Sequence, residues 1–158
     1  MSVIGRAALD SQKSYAVREL AEDICRGLPS KAYLDEYLAI YYYLLSHCRY
    51  MRDPRTVELV RAPYVVVEEL RRGKTPSVDC DDLAALATAL TLSAGGHSRV
   101  VTVAFRPMIH RGQRQYSHVF AQAQEPRTKQ WITIDPVAGS ATEQMMRRTV
   151  YAKAWPIA

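Results

Sequence analysis

SVDCDDLAALATALTLSAGG, residues 77–96, decides how this chain folds, because it sets one cysteine at the expected first turn of an apolar helix. Leu83, Leu86, Ala87, Leu90 and Ala94 recur at helical spacing, and Ala84, Ala85 and Ala89 add little bulk, so the helix should be buried on most sides. Gly95 and Gly96 end it, while Pro76 and Ser77 break any earlier helix. Asp79, Asp81 and Asp82 cluster where carboxylates cap free amides and face the positive end of the helix dipole. Cys80 then sits among backbone N–H groups, which stabilise a thiolate and can hold the oxyanion of a tetrahedral intermediate. The aspartates oppose the thiolate, since nearby negative charge raises a thiol pKa, and a cationic partner is needed to offset them. A lone cysteine is more often a small buried residue; Cys25 and Cys48 fit that plainer role.

The 158 residues suit a single domain long enough to bury a core, read as a helical part (1–49), a catalytic core (50–137) and a tail (138–158). No apolar run approaches a membrane span, and the first ten residues hold too short an apolar stretch for a signal peptide. A cytoplasmic location is the expectation. Three cysteines at unrelated spacings argue against a disulfide framework and a zinc site; neither a metal nor a cofactor is expected. The net charge of +5 comes from basic residues that are scattered rather than striped, so no specific nucleic-acid partner is expected.

Residues 11–25 carry a modest amphipathic pattern and read as a surface helix ending at Gly27 and Pro29. Next, Leu34, Tyr37, Leu38, Tyr41, Leu44, Leu45 and Cys48 trace one helical face that should be buried. Residues 48–63 read as an irregular connection with a turn at Arg52-Asp53-Pro54, and residues 64–72 as a short helix opening after Pro63, although the run Val65-Val66-Val67 would equally suit a strand. Residues 99–105, 116–123 and 130–135 read as strands, the last two joined as a hairpin. If facing residue numbers there sum to 253, Val119 meets Ile134 and Ala121 meets Ile132 on one apolar face, and His118 stands opposite Asp135. The last segment reads as a short helix and tail, or as a partner contact.

A thiol at a helix start, an imidazole opening one strand and a carboxylate ending its neighbour make the cysteine form of a nucleophile, base and orienter set. On this reading Cys80 attacks, His118 holds it as a thiolate and protonates the leaving group, and Asp135 fixes the imidazole tautomer. Singly, each has a duller explanation: a half-buried histidine, and an aspartate forming a turn before Pro136.

These residues resemble the transglutaminase-like superfamily of papain-like cysteine enzymes. Asp79-Cys80-Asp81-Asp82 with its Ala/Leu helix is similar to the cysteine motif, with Val78 where a glycine is common. Ala94-Gly95-Gly96-His97-Ser98-Arg99-Val100 is similar to the AxGIPAR-V segment, Ser117-His118-Val119-Phe120 to the histidine strand, and Trp131-Ile132-Thr133-Ile134-Asp135-Pro136 to the W-x-x-x-DP strand. Tyr50-Met51-Arg52-Asp53-Pro54 and Glu58-Leu59-Val60 resemble the variant of tailed phages and prophages. The resemblance implies an α+β papain-like core, the cysteine helix packed on an antiparallel sheet, and a thioester acyl-enzyme on a peptide or protein substrate. Hydrolysis as a peptidase or amidase is preferred. The alternatives are amine-transferring crosslinking and a virion or assembly protein whose activity is lost, with other phage structural proteins as partners. The site wall would include Tyr50, as a second oxyanion donor, with Asp79 and Asp81.

Overall fold

The computed structural model describes residues 2–52 and 59–157. The expected turn at 52–54, and the phage-like residues Asp53, Pro54 and Glu58, fall outside the described residues in whole or in part. In chain order the N-terminal helices are α1 (Val3–Ser11), α2 (Tyr15–Cys25) and α3 (Tyr33–His47); a two-residue strand β1 (Arg49–Tyr50) and helix α4 (Pro63–Arg71) follow. Strand β2 (Ser77–Val78) then leads directly into α5 (Cys80–Ser93).

α5 is the centre of the molecule. Asp82 through Thr91 are all buried, because α1, α2, α3 and α4 pack on one side and a sheet on the other. A helix made of alanine and leucine suits this position: small side chains let neighbours approach from every direction. Asp79 caps it, its carboxylate accepting from the Asp82 N–H at 3.0 Å. At the other end Gly95 takes φ +84°, which glycine adopts without strain, and the Gly96 N–H donates to Thr91 O at 2.9 Å. A Cβ on Gly96 would stand 2.9 Å from the Tyr37 hydroxyl, so the chain leaves α5 through a gap that only glycine fits.

The sheet is antiparallel, in the order β7-β6-β3-β8: β3 (His97–Ala104), β6 (His118–Gln124), β7 (Trp131–Ile134) and β8 (Tyr151–Pro156). A small hairpin, β4 (Ile109–His110) with β5 (Gln113–Arg114), lies between β3 and β6, and a short helix α6 (Thr142–Arg147) precedes β8. Val100, Val119, Ala121 and Ala123 are buried in the clusters that include α5 residues; Val101, Val103 and Phe120 form a second layer with Phe105 and Met145.

Several expectations change. The β6–β7 register runs Ala121 with Ile134 and Ala123 with Ile132, two residues away from the expected pairing. The slip is even, so every side chain keeps its face. Its cause is the turn. Glu125 O accepts from Lys129 N–H, Glu125 Oε2 accepts from Thr128 N–H, and Lys129 takes φ +61°, which closes the hairpin between Glu125 and Gln130. On α3 the buried residues are Tyr37, Ile40 and Leu44, whereas Leu34, Leu38 and Leu45 are exposed. The buried face is fixed by Tyr37, whose hydroxyl donates to Gln124 O at 2.9 Å. The expected surface helix at 11–25 is α2, and Ala16, Val17, Leu20 and Ala21 on it are buried against its neighbours. α1 and β8 were not expected as elements.

Candidate active site

Each of the three residues reaches the site by a local route. β1 and β2 pair in parallel, Tyr50 beside Val78, which places Tyr50 next to the segment that delivers Cys80. Arg61 fastens the first turn of α5: its backbone N–H and its Nε donate to the two oxygens of the buried Asp82 at 2.8 and 3.0 Å, and its Nη2 donates to Ser77 O at 2.6 Å. β6 begins at His118, and β7 ends one residue before Asp135.

His118 and Asp135 are buried, with Nε2 and Oδ2 2.8 Å apart. The register makes them diagonal rather than directly opposed, since Ala121 faces Ile134. Diagonal neighbours remain within reach of a long side chain. The other oxygen, Oδ1, accepts from the Val137 and Ala138 N–H groups at 3.1 and 3.2 Å. Asp135 is therefore both the imidazole partner and the turn former, with each role using its own oxygen. A carboxylate has only acceptors to offer, so the ring's Nε2 carries hydrogen toward it and Nδ1 is the nitrogen left over.

Cys80, His118, Val119, Tyr50, Asp79 and Asp81 all line one cavity of about 1170 Å³. The sulfur lies beside the backbone amides of Val119 and of Cys80 itself, which pull its pKa down. Stronger influences push the other way. Burial first, then Asp81 and Asp79, raise the thiol to about 12. The S–H donates to Asp81 Oδ1 at 3.8 Å, a further hold on the neutral form. Burial and the two aspartates thus outweigh the two amides and oppose the thiolate, the opposition that the sequence assigns His118 to offset. The other thiols are also raised, Cys48 to about 11 chiefly by burial, and Cys25 by burial and Glu36. All three cysteines are free and half-buried.

The Val119 amide and the cavity's arginines escaped the sequence reading. The first was recoverable in principle, since it follows His118 directly; the arginines, at 52, 106, 114 and 148, have no common spacing. Among the described residues, no group of three or more His, Cys, Asp or Glu is placed to hold a metal ion, and no helix is long and apolar enough to cross a membrane.

No curated protein matches the sequence. Among solved structures, a provisionally assigned protease from Parabacteroides distasonis aligns with a TM-score of 0.58 and 17% identity, over 85% of this chain and 26% of that one. The chain thus spans about a quarter of that protein's length, and the likeness is one of fold. The transglutaminase-like superfamily model matches residues 18–136, which takes in α5, the sheet strands β3, β6 and β7, and all three candidate residues. The α+β papain-like core is accordingly that of a known family: the chain belongs to the transglutaminase-like superfamily.

Proposed function

We propose that this protein is a cysteine amidase or peptidase in which Cys80 is the nucleophile, His118 the general base and acid, and Asp135 the orienter. The observation that carries the reading is the buried His118–Asp135 pair at 2.8 Å, opening on the cavity that also contains Cys80.

The proposed chemistry uses these groups in turn. As the sulfur attacks an amide carbonyl, its proton passes to His118 Nδ1 and the S–C bond forms while the carbonyl π electrons move to oxygen. The Cys80 N–H and the Tyr50 side chain hold that oxyanion. Collapse expels the amine, which takes the proton from Nδ1, and leaves a thioester. Water, deprotonated by the same nitrogen, then attacks the thioester, releases the acid and returns the proton to sulfur. The ring is cationic only between transfers, and Asp135 Oδ2 stabilises it then.

Incubating the protein with a panel of peptide amides, quenching in acid and weighing it by mass spectrometry tests the reading. An added acyl mass that maps to Cys80 and decays in water supports it; the same mass transferred to an added primary amine would make the enzyme a crosslinker. Acylation elsewhere, or none across the panel, overturns it.

A further inference from the structure

The charged side chains that line the cavity name a substrate class. At the thiol end lie Asp79 and Asp81. The same cavity is lined by Arg52 after β1, Arg106 after β3, Arg114 of β5 and Arg148 just after α6. These four come from separate stretches of chain, so the fold gathers positive charge that the sequence scatters. All four are exposed, and no ion pair among the described residues engages them. Arg114 also packs on Tyr151, its guanidinium carbon 4.2 Å from the ring centroid.

Resting on the amidase reading above, we propose that the acyl donor is an acidic peptide. Its scissile amide lies at Cys80, and its side-chain or terminal carboxylates are received by Arg106, Arg114 and Arg148. The guanidinium fork matches a carboxylate with two parallel hydrogen bonds, which a scatter of lysines would not do. A nucleic acid is also anionic, but it fits less well. Its charge is continuous, and it brings no amide for the sulfur to attack. A peptide can present a neutral amide to the thiol and its carboxylates to the arginines.

Binding is measured with the Cys80→Ala protein, so that catalysis does not enter, using fluorescein-labelled hexapeptides of glycine and glutamine that carry two glutamates or two lysines. The glutamate peptide should bind and the lysine peptide should not. Arg114→Ala and Arg148→Ala should each weaken the glutamate peptide about fivefold, as expected for exposed charge pairs. Raising salt from about 0.05 M to about 0.5 M should weaken it further, because solvated charges are screened over a few ångströms at the higher value. Arg114→Glu with Arg148→Glu should reverse the preference toward lysine. Equal affinity for the two peptides, unchanged binding in the arginine variants, or tighter binding of an oligothymidylate overturns the proposal. The two readings fail separately. Acylation of wild-type Cys80 by neutral and glutamate peptides at equal rates sinks only the acidic-peptide proposal, whereas selective binding of the glutamate peptide without acylation sinks only the amidase.

Discussion

The two sides of the candidate site are prepared in opposite ways. Cys80 starts a helix that is packed on all sides, and burial with Asp81 and Asp79 lifts its thiol to about 12. His118 lies against Asp135, whose second oxygen is pinned by two backbone N–H groups, so the carboxylate beside the ring is fixed in place. Negative charge on sulfur is resisted on one side, and a braced carboxylate stands 2.8 Å from the imidazole on the other. On the amidase reading proposed above, the proton would move as the S–C bond forms.

The largest effect should come from deleting the resisted partner. Cys80→Ala removes the proposed nucleophilic atom, and turnover should fall to background, a loss of at least about 10³-fold by analogy with other covalent catalysts. The fold should survive, because alanine is a better helix former than cysteine and the His118–Asp135 pair does not depend on the sulfur. Turnover and melting temperature measured together check this; residual activity within tenfold of wild type would move the nucleophile elsewhere.

On the imidazole side, replacements of Asp135 should separate a carboxylate from its shape. Asparagine could be expected to keep the ring in place through its carbonyl oxygen. Here both oxygens of Asp135 accept, one from His118 and one from Val137 and Ala138. An amide satisfies only one side: if its oxygen stays with the backbone, its NH₂ faces Nε2 and forces the wrong tautomer. Asp135→Asn and Asp135→Ala should thus lose similar turnover, each about 10²- to 10⁴-fold, with KM little changed. A kcat within tenfold of wild type for asparagine would show that the orienter role tolerates a neutral group.

How far the sequence foretold these sides also differs. The thiol side was legible because its signals are local: a cap, a run of alanine and leucine, and two glycines. The hairpin was legible only to parity. Alternation fixes which face a strand buries, but a slip of two leaves alternation intact, and the choice falls to Glu125 and the left-handed Lys129 in the turn. β8 was missed because Ala152 and Ala154 blunt its alternation, although Tyr151, Lys153 and Trp155 recur every second residue and Trp155 Nε1 donates to Thr102 Oγ1 at 3.1 Å. α1 was missed because Gly5, Ala7 and Ala8 give too weak a stripe, yet Ile4 reaches the cavity. Long-range convergence, as with the arginines, leaves no trace in spacing.

A smaller effect should come from the brace on the thiol side. Arg61 is the partner of Asp82, which is 4% exposed, and it also holds Ser77 O. Arg61→Ala leaves a buried carboxylate with only backbone donors, and should cost about 2–3 kcal/mol, less than a fully orphaned charge. For a domain of this size that is a fall of about 5–10 °C in melting temperature. Turnover should fall with it, since the first turn of α5 loses its tie; a melting temperature unchanged within a degree would show that Arg61 braces nothing.

The smallest effect tests the sulfur's surroundings directly. Asp81 accepts from the thiol and is the largest charge that raises it, after burial. Asp81→Asn removes the charge and keeps the shape, so the Cys80 pKa should drop and iodoacetamide should label Cys80 about three- to tenfold faster at pH 8, the modest range fitting a half-exposed pair in high dielectric. The same change has a stability signature. An unperturbed thiol ionises near 9.0, whereas Cys80 in the folded chain resists until about 12. The folded state therefore binds the proton more tightly, and the stability that this provides is complete below pH 9 and drains away as pH climbs toward 12. Asp81→Asn narrows that window, so its melting temperature should fall less steeply between pH 9 and 10.5 than that of the wild type. Cys48, raised to about 11, contributes to the same decline and is removed from the comparison by working in a Cys48→Ser background. Identical alkylation rates and identical alkaline slopes for the two proteins would leave burial alone responsible for the thiol, and the contrast between the two sides would rest on solvent exclusion rather than on charge.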